Sequence, residues 1–522
     1  MTGRGSTPGL LQSVDSHALS PVYALAGTLL VVLVADLFLQ GRRKRLALPV
    51  SLAGTLVALG LAVSLVGTGT RGTFCTPAAT LPQQVGGLAV GRSCSYVVDR
   101  YALLLDVLLL GALLLVLLLG AGSLAEDRLP PGEHHVLLLA ATLGGVVVAS
   151  SRDLLILVVG LEVVSLPAFV LAGLKRGSAT AAARSAEAAL KYFLVSVLST
   201  AVSLFGMAML YGLTGSLQLD RIAVQLAQPS IRTPAAAAAV ALTLVGFAFK
   251  VSAAPFHTWA PDVYDGSPLP VAAYLSVVSK TAGFAGLFVL CLQAFRPYAG
   301  VWGPIVAVLA VASMTLGNLV ALQQRDAVRL LAWSSIAQAG YILAPLAAAA
   351  TARGRGDLDA LLTASLGYLA FYAVTQLGAF ACLAAARVRD LVDLRGLGGR
   401  SPAVAAAFAL ALFGLAGLPP GLAGLFGKVV VFRAVVDAHA GWLAVVVAVN
   451  TVIGLAYYLR LAALLFSGLG EEAVRSRPAL GLAAGGRPVR TAVALTALVA
   501  LAVGVAPVLV LHVTPLATIA RP

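Results

Sequence analysis

The chain has 522 residues, of which 60% are hydrophobic and 11% charged, and its mean hydropathy is +0.97. A soluble domain carries about a quarter charged residues, so a soluble globular fold is excluded and a polytopic membrane protein is implied. The net charge of +14 does not point to nucleic acid, because the basic residues fall in short loops between apolar runs instead of clustering on one exposed face.

The first twenty residues are polar and lack the basic-then-apolar pattern of a cleaved signal peptide, so the first helix is expected to be retained. At about 20 apolar residues per crossing, runs bounded by charge, Pro or Gly predict helices near 22–40, 47–67, 101–121, 135–150, 154–174 and 187–212. Further runs lie near 235–257, 268–294, 302–322, 329–350, 358–386, 401–433, 441–467 and 489–514. The expectation is an all-α polytopic membrane protein with about 14 transmembrane helices. The 401–433 run is long enough for a broken helix.

Alternate loops differ in their basic residues. One set holds Arg42, Arg43, Lys44, Arg45, Arg128, Lys175, Arg176, Arg184, Arg325 and Arg329, continues through Arg387, Arg389, Arg395 and Arg400, and closes with Arg475, Arg477, Arg487 and Arg490. These 18 outnumber the 12 of the opposite set, which puts the first set in the cytoplasm and both termini outside. Cys75 and Cys94 share the loop after the second helix, on the outer side, where a disulfide persists; their spacing is equally compatible with two free thiols. Cys291 and Cys382 lie in apolar runs and read as core.

The 35 cations comprise 29 Arg and six Lys, and four of the six, Lys191, Lys250, Lys280 and Lys428, sit inside or at the mouth of apolar segments. A GC-rich coding sequence accounts for scarce Lys but not for this placement. Arg does not deprotonate in a protein, whereas a buried Lys can exchange a proton. A cation at mid-bilayer costs about 2.5 to 3.5 kcal/mol, so these lysines are expected to face the interior, paired or hydrated. The acidic candidates are Glu162, Asp36, Asp106 and Glu187. Glu162 is isolated in VVGLEVVSLP and is favoured as a functional partner for a lysine over a structural ion pair. Glu187 leads Lys191 by four residues, a favourable helical spacing that suits a structural pair nearly as well. Asp36 and Asp106 lie outside the repeats described next, and structural pairing is expected for both.

Backbone breaks stand beside two of the lysines. In GFAFKVSAAPFHTW, Pro255 follows Lys250 by five residues and removes the helical donor to the Val251 carbonyl; in FGLAGLPPGLAGLFGK, Pro419 and Pro420 do the same to the carbonyls of Leu415 and Ala416 ahead of Lys428. Irregular backbone at membrane depth is tolerated only inside protein or against water. The breaks occupy corresponding places in two five-helix blocks, 135–295 and 301–467, which an odd number of helices makes inverted repeats. Segment 1–134 then contributes three helices, and 468–522 a cytoplasmic loop and the last helix. Lys280 would link the two blocks. His257, near Asp262 and Asp265, is a weaker proton-relay candidate. No Gly-rich phosphate loop, Cys cluster or haem ligand pair occurs.

The segment GFAFKVSAAPFHTWAPDVYDGSPLPVAAYLSVVSKTAGF resembles the seventh-to-eighth helix region of the N-subunit family of bacterial NADH-quinone oxidoreductase, respiratory complex I. EAALKYFLVSVLST, RLLAWSSIAQAGYIL and GLPPGLAGLFGKVVVF are similar to that family's sixth, tenth and twelfth helices, and the likeness covers roughly residues 100–465. SKTAGF places a Lys where L-like members have His, Lys428 stands where M subunits carry Glu, and no long lateral helix follows the last span. The loop with Cys75 and Cys94, and Gln338 in the tenth-helix motif, depart from the family pattern.

The resemblance implies a proton-translocating membrane-arm subunit. Glu162 and Lys250 would form its charge pair, Lys280 the connector, Lys428 the terminal site and Lys191 a further family lysine. By the same analogy NADH, FMN, iron–sulfur clusters and quinone belong to partner subunits, with none bound by this chain. The partners implied are other membrane-arm subunits, M-type antiporter-like and small ones among them, together with the lipid bilayer and protons. The location implied is the bacterial inner or plasma membrane. Two rivals are an Mrp-type or stand-alone cation/proton antiporter, and a structural subunit without its own proton path.

Overall fold

The computed structural model describes residues 14–76, 84–85, 88–89, 93–126, 129–468, 486–514 and 519. Arg128, Arg475, Arg477 and most of the predicted loop before the last helix lie outside the described residues.

The helices in chain order are α1 (Ser20–Phe38), α2 (Ala47–Leu65), α3 (Arg100–Glu126), α4 (Pro131–Ser150), α5 (Leu154–Ala172), α6 (Ala179–Thr214) and α7 (Leu219–Leu226). They continue as α8 (Pro234–Lys250), α9 (Trp259–Gly266), α10 (Leu269–Tyr274), α11 (Lys280–Val289), α12 (Ala299–Ala321), α13 (Ala327–Ala347), α14 (Ala352–Gly356) and α15 (Leu358–Ala386). The last are α16 (Leu397–Arg400), α17 (Pro402–Ala416), α18 (Leu422–Asp437), α19 (Gly441–Phe466), α20 (Gly486–Val505) and α21 (Val508–Val513). Among the described residues, twelve helices are long and apolar enough to cross a membrane. The two remaining predicted runs, 235–257 and 401–433, hold the shorter apolar helices α8 and α17, each stopped at a break.

Polar caps start several of these helices. Asp153 accepts from Leu155 and Ile156 at the start of α5, Ser178 from Ala181 at α6, Thr233 from Ala236 at α8, and Asp326 from Arg329 at α13. These bonds satisfy amides that the helix itself leaves free. The Ser178 cap also explains why α6 begins well before the predicted 187: charged residues near a helix end do not stop it, and the helix runs on through Arg184 and Glu187. Close helix approach needs a missing side chain at Gly144 and Gly160, where a Cβ would press into the facing backbone of α5 and α4.

The loop between α2 and α3 departs from the all-helical expectation. Strand β1 (Arg71–Cys75) pairs antiparallel with β4 (Cys94–Val98), and the two-residue strands β2 (Gln84–Val85) and β3 (Leu88–Ala89) pair between them. Thr73, Phe74, Tyr96, Val97 and Val98 are residues that suit a pleated surface. Cys75 faces Cys94 in the register and the two are joined as a disulfide; Cys291 and Cys382 are buried free thiols.

The span Leu269–Ala294 is buried along nearly all its length, with only Leu269 and Gln293 partly exposed, and forms the centre of the molecule. It is not a uniform α-helix: π-helical turns cover Leu275–Ser279 and Leu290–Ala294, so Lys280 follows directly on one of them. Such turns free a backbone carbonyl and recur at functional sites. Here the Ser276 carbonyl accepts from the Tyr372 hydroxyl at 2.9 Å.

Candidate functional site

Three of the four singled-out lysines are buried: Lys250 at 3% exposure, Lys280 at 0% and Lys428 at 8%. The fourth is not. Lys191 lies on an exposed stretch of α6 with its side chain 46% accessible, so the reading of four buried lysines is corrected to three. It pairs with Glu187 at 2.8 Å, as its spacing predicted, and also with Asp262 at 2.8 Å. The ion pairs continue from Asp262 to Arg329 at 3.0 Å, and Asp265 bridges Arg329 at 3.7 Å and Arg389 at 3.2 Å. Six charges thereby tie α6, α9, α13 and the segment after α15. Partial burial raises the Asp262 carboxyl, but hydrogen bonds and charge from Lys191 and Arg329 outweigh it and hold the group below the usual carboxylate range.

Glu162 and Lys250 line one small cleft between α5, α6 and α8, together with Thr200, Ser203 and Phe249. They do not form a direct ion pair. Glu162 Oε1 accepts from the Thr200 hydroxyl at 2.9 Å, and Lys250 Nζ donates to the Tyr192 hydroxyl at 3.5 Å. The ammonium also lies 5.4 to 6.0 Å from the ring centres of Tyr192, Phe249 and Phe169, within the range of cation–π attraction. Tyr192 is held by stacking on Trp259 at 4.4 Å, and the Trp259 indole donates to the Phe249 carbonyl at 3.1 Å. In this first break the helix ends at Lys250, and the Ala254–Pro255 bond is cis. His257 is 9% exposed, faces Trp333 edge-on at 5.3 Å, and its Nδ1 has no hydrogen-bond partner.

From Lys280 onward the polar contacts run into the second block. Lys280 Nζ donates to the Ser335 carbonyl at 2.8 Å and hydroxyl at 3.0 Å. The neighbouring Ser334 hydroxyl shares a hydrogen with Tyr458 at 2.5 Å, and the Gln338 amide donates to Tyr458 at 3.0 Å and to the Leu415 carbonyl at 3.0 Å. Gln338 Oε1 accepts from Tyr368 at 2.5 Å. Lys428 Nζ donates to the Ala416 carbonyl at 2.6 Å and sits 5.0 Å over the Tyr341 ring.

The carbonyls of Leu415 and Ala416 are the two that Pro419 and Pro420 were predicted to free. The Pro419–Pro420 bond is cis, and Gly417 ends α17 at φ +80°, a conformation that favours glycine. Sequence reasoning did not find Tyr192, Ser334, Ser335 or Tyr458. The signal was present in the polar run WSSIAQ and the pair Tyr457–Tyr458 inside otherwise apolar helices.

The transmembrane family described as NADH:quinone oxidoreductase/Mrp antiporter matches residues 151–454, a range that contains Glu162, Lys191, Lys250, Lys280 and Lys428. NADH-quinone oxidoreductase subunit N 2 of Streptomyces griseus is 48% identical over 470 residues, covering 88% of this chain and 84% of that protein. This chain belongs to the NADH-quinone oxidoreductase subunit N family. Among solved structures, respiratory complex I from Thermus thermophilus with bound Aureothin contains a chain that is 32% identical, with a TM-score of 0.72 over 94% of this chain and 98% of that one. The Mrp complex from Dietzia sp. has a chain with a TM-score of 0.77 over 96% and 97% at 23% identity, a likeness of fold alone. As a subunit N family member the chain is a multi-pass membrane subunit that associates with other membrane-arm subunits.

Proposed function

We propose that this chain translocates protons in the membrane arm of NADH-quinone oxidoreductase, through Glu162, Lys250, Lys280 and Lys428. The observation that carries this reading is the set of contacts from Lys280 through Ser335, Ser334, Tyr458 and Gln338 to the carbonyl pair beside Lys428. Hydroxyls donate and accept at once, so they pass a proton where an apolar helix would block it. Lys250 and Glu162 share a cleft without being paired, which leaves room for the ammonium to approach the carboxylate or withdraw. Approach of the carboxylate favours the charged lysine, and withdrawal into apolar surroundings favours its release. In this reading Lys191 and the Asp262 cluster form the entry side, and His257 is a side relay.

The repeats 135–295 and 301–467 each place a helix break beside a lysine, with segment 1–134 and the last helix outside them. The Cys75–Cys94 disulfide supports an outer, oxidising face for the hairpin, which agrees with both termini being outside. Moving one elementary charge against 100 mV costs about 2.3 kcal/mol. The chain's own residues supply no such energy, so quinone reduction in partner subunits, which hold the flavin and iron–sulfur chemistry, drives the transfer.

Replacing Lys250→Arg and Lys428→Arg in the assembled complex keeps the charge and withholds the proton. Both variants are expected to lose proton pumping and to slow quinone reduction with it. Normal pumping in both removes the relay. Cation exchange by the isolated chain in liposomes, without any reductase, supports an antiporter instead, and normal pumping by Glu162→Gln supports a structural subunit.

A further inference from the structure

The N-terminal three-helix segment carries a carboxyl that the lysine path does not use. Asp106 in α3 is 1% exposed and its Oδ1 has no hydrogen-bond partner among the described residues. The expected structural pairing holds for Asp36, which meets Lys44 at 2.9 Å, but not for Asp106. The buried guanidinium of this region, Arg152, is engaged with Asp99 at 2.7 Å and with the carbonyls of Ala149 and Ser151 at 3.1 and 2.8 Å. An ionisable residue inside a membrane protein without a partner is costly, and its presence marks function before structure.

The surroundings place Asp106 between the lysine layer and the hairpin. Gly145 of α4 lies against both Leu109 of α3 and Ala282 of α11, so Leu109 shares a layer with Lys280, two residues before Ala282. Asp106 is three residues from Leu109 toward the start of α3, about 4.5 Å nearer the hairpin. Thr281, next to Lys280, is buried and its hydroxyl has no hydrogen-bond partner. On the hairpin side stand Tyr96 of β4, which bridges to Ser151, and beyond it the Arg152–Asp99 pair. Burial first, and then the Asp106 carboxylate, push the Tyr96 phenol up, while Ser150 and Arg152 pull it down. The Tyr96 phenol and the Asp106 carboxyl are thus within electrostatic reach of each other, and Asp99 is the like charge that faces Asp106.

We propose that Asp106 is a proton-release site, taking a proton from the lysine layer and passing it beyond the Arg152–Asp99 pair to the hairpin side. This inference rests on the reading of the lysines as a proton path. In the step, an N–H bond of a lysine ammonium breaks, leaving a neutral amine, and an O–H bond forms on Asp106. Release to water restores the carboxylate.

The test uses Asp106→Asn and Asp106→Glu in the assembled complex, with assembly followed on native gels. Asp106→Asn is expected to lose proton pumping, Asp106→Glu to keep it, and a carboxylic-acid band in redox-induced infrared difference spectra to vanish in the Asn variant. Pumping by Asp106→Asn at the parent proton-to-electron ratio overturns the proposal, as does an unchanged infrared band in that variant. Should Asp106→Asn fail to assemble, the Glu variant decides: a shifted band supports the site and an unshifted one overturns it. Lys250→Arg is measured alongside. Normal pumping there refutes the lysine path itself, whereas lost pumping there with normal pumping in Asp106→Asn refutes only the release site.

Discussion

Gln338 is the residue on which the contacts between the two blocks converge. Its amide donates to Tyr458 and to the Leu415 carbonyl and accepts from Tyr368, all of them buried. Each buried polar group left without a partner costs about 1–3 kcal/mol. Gln338→Leu strands the Tyr368 hydroxyl and the Leu415 carbonyl, while Tyr458 keeps Ser334, so it is expected to lower the melting temperature of the purified complex by several degrees and to cut pumping. Tyr458→Phe removes one hydroxyl and little packing, so it should cost less stability yet reduce pumping as much. A Tyr458→Phe complex that pumps at the parent ratio contradicts the role given to these hydroxyls. The importance of Gln338 was only half legible: its position inside an apolar helix is plain in RLLAWSSIAQAGYIL, but its partners come from α15, α17 and α19, and no spacing along one helix reveals contacts between four.

At the scale of elements, the sequence was most informative where local chemistry decides the outcome. Pro419 and Pro420 remove amides whatever surrounds them, so the carbonyls of Leu415 and Ala416 could be named in advance. At Pro255 the same reasoning named the Val251 carbonyl, which lies just past the end of α8 at Lys250 and receives no backbone amide among the described residues. The exposure of Lys191 was not legible, because an apolar run does not show which face of α6 meets neighbours. The ion cluster it joins carries its own prediction. The Asp262 carboxyl is held below the usual range, so its stabilising contribution is fully present above the unfolded-state value, about 3.9, and is lost as pH falls through the depressed folded value. Thermal stability of the complex is therefore expected to hold from neutral pH to about 4 and to fall below it. Asp262→Asn should flatten that acid limb, and an unaltered limb in the variant shows that the cluster does not fasten α6 to α9 and α13.

For the whole molecule, the membrane class and the family followed from composition and a few long motifs, because apolar runs and a Lys-to-Lys segment are local features. The hairpin between α2 and α3, the π-helical turn before Lys280 and the Asp106 Oδ1 left without a partner among the described residues depend on tertiary packing and were not foreseen. Together they describe a chain whose buried lysines sit at or within two turns of interruptions of helical backbone, one of them in the central span. Lys280 joins the halves by donating to Ser335, so the account stands or falls on that residue. The most direct measurement is the proton-to-electron ratio of the reconstituted complex carrying Lys280→Met, whose side chain fills similar space without a proton to give. A clearly lowered ratio is predicted, and a ratio equal to that of the parent complex would contradict a path running through this chain.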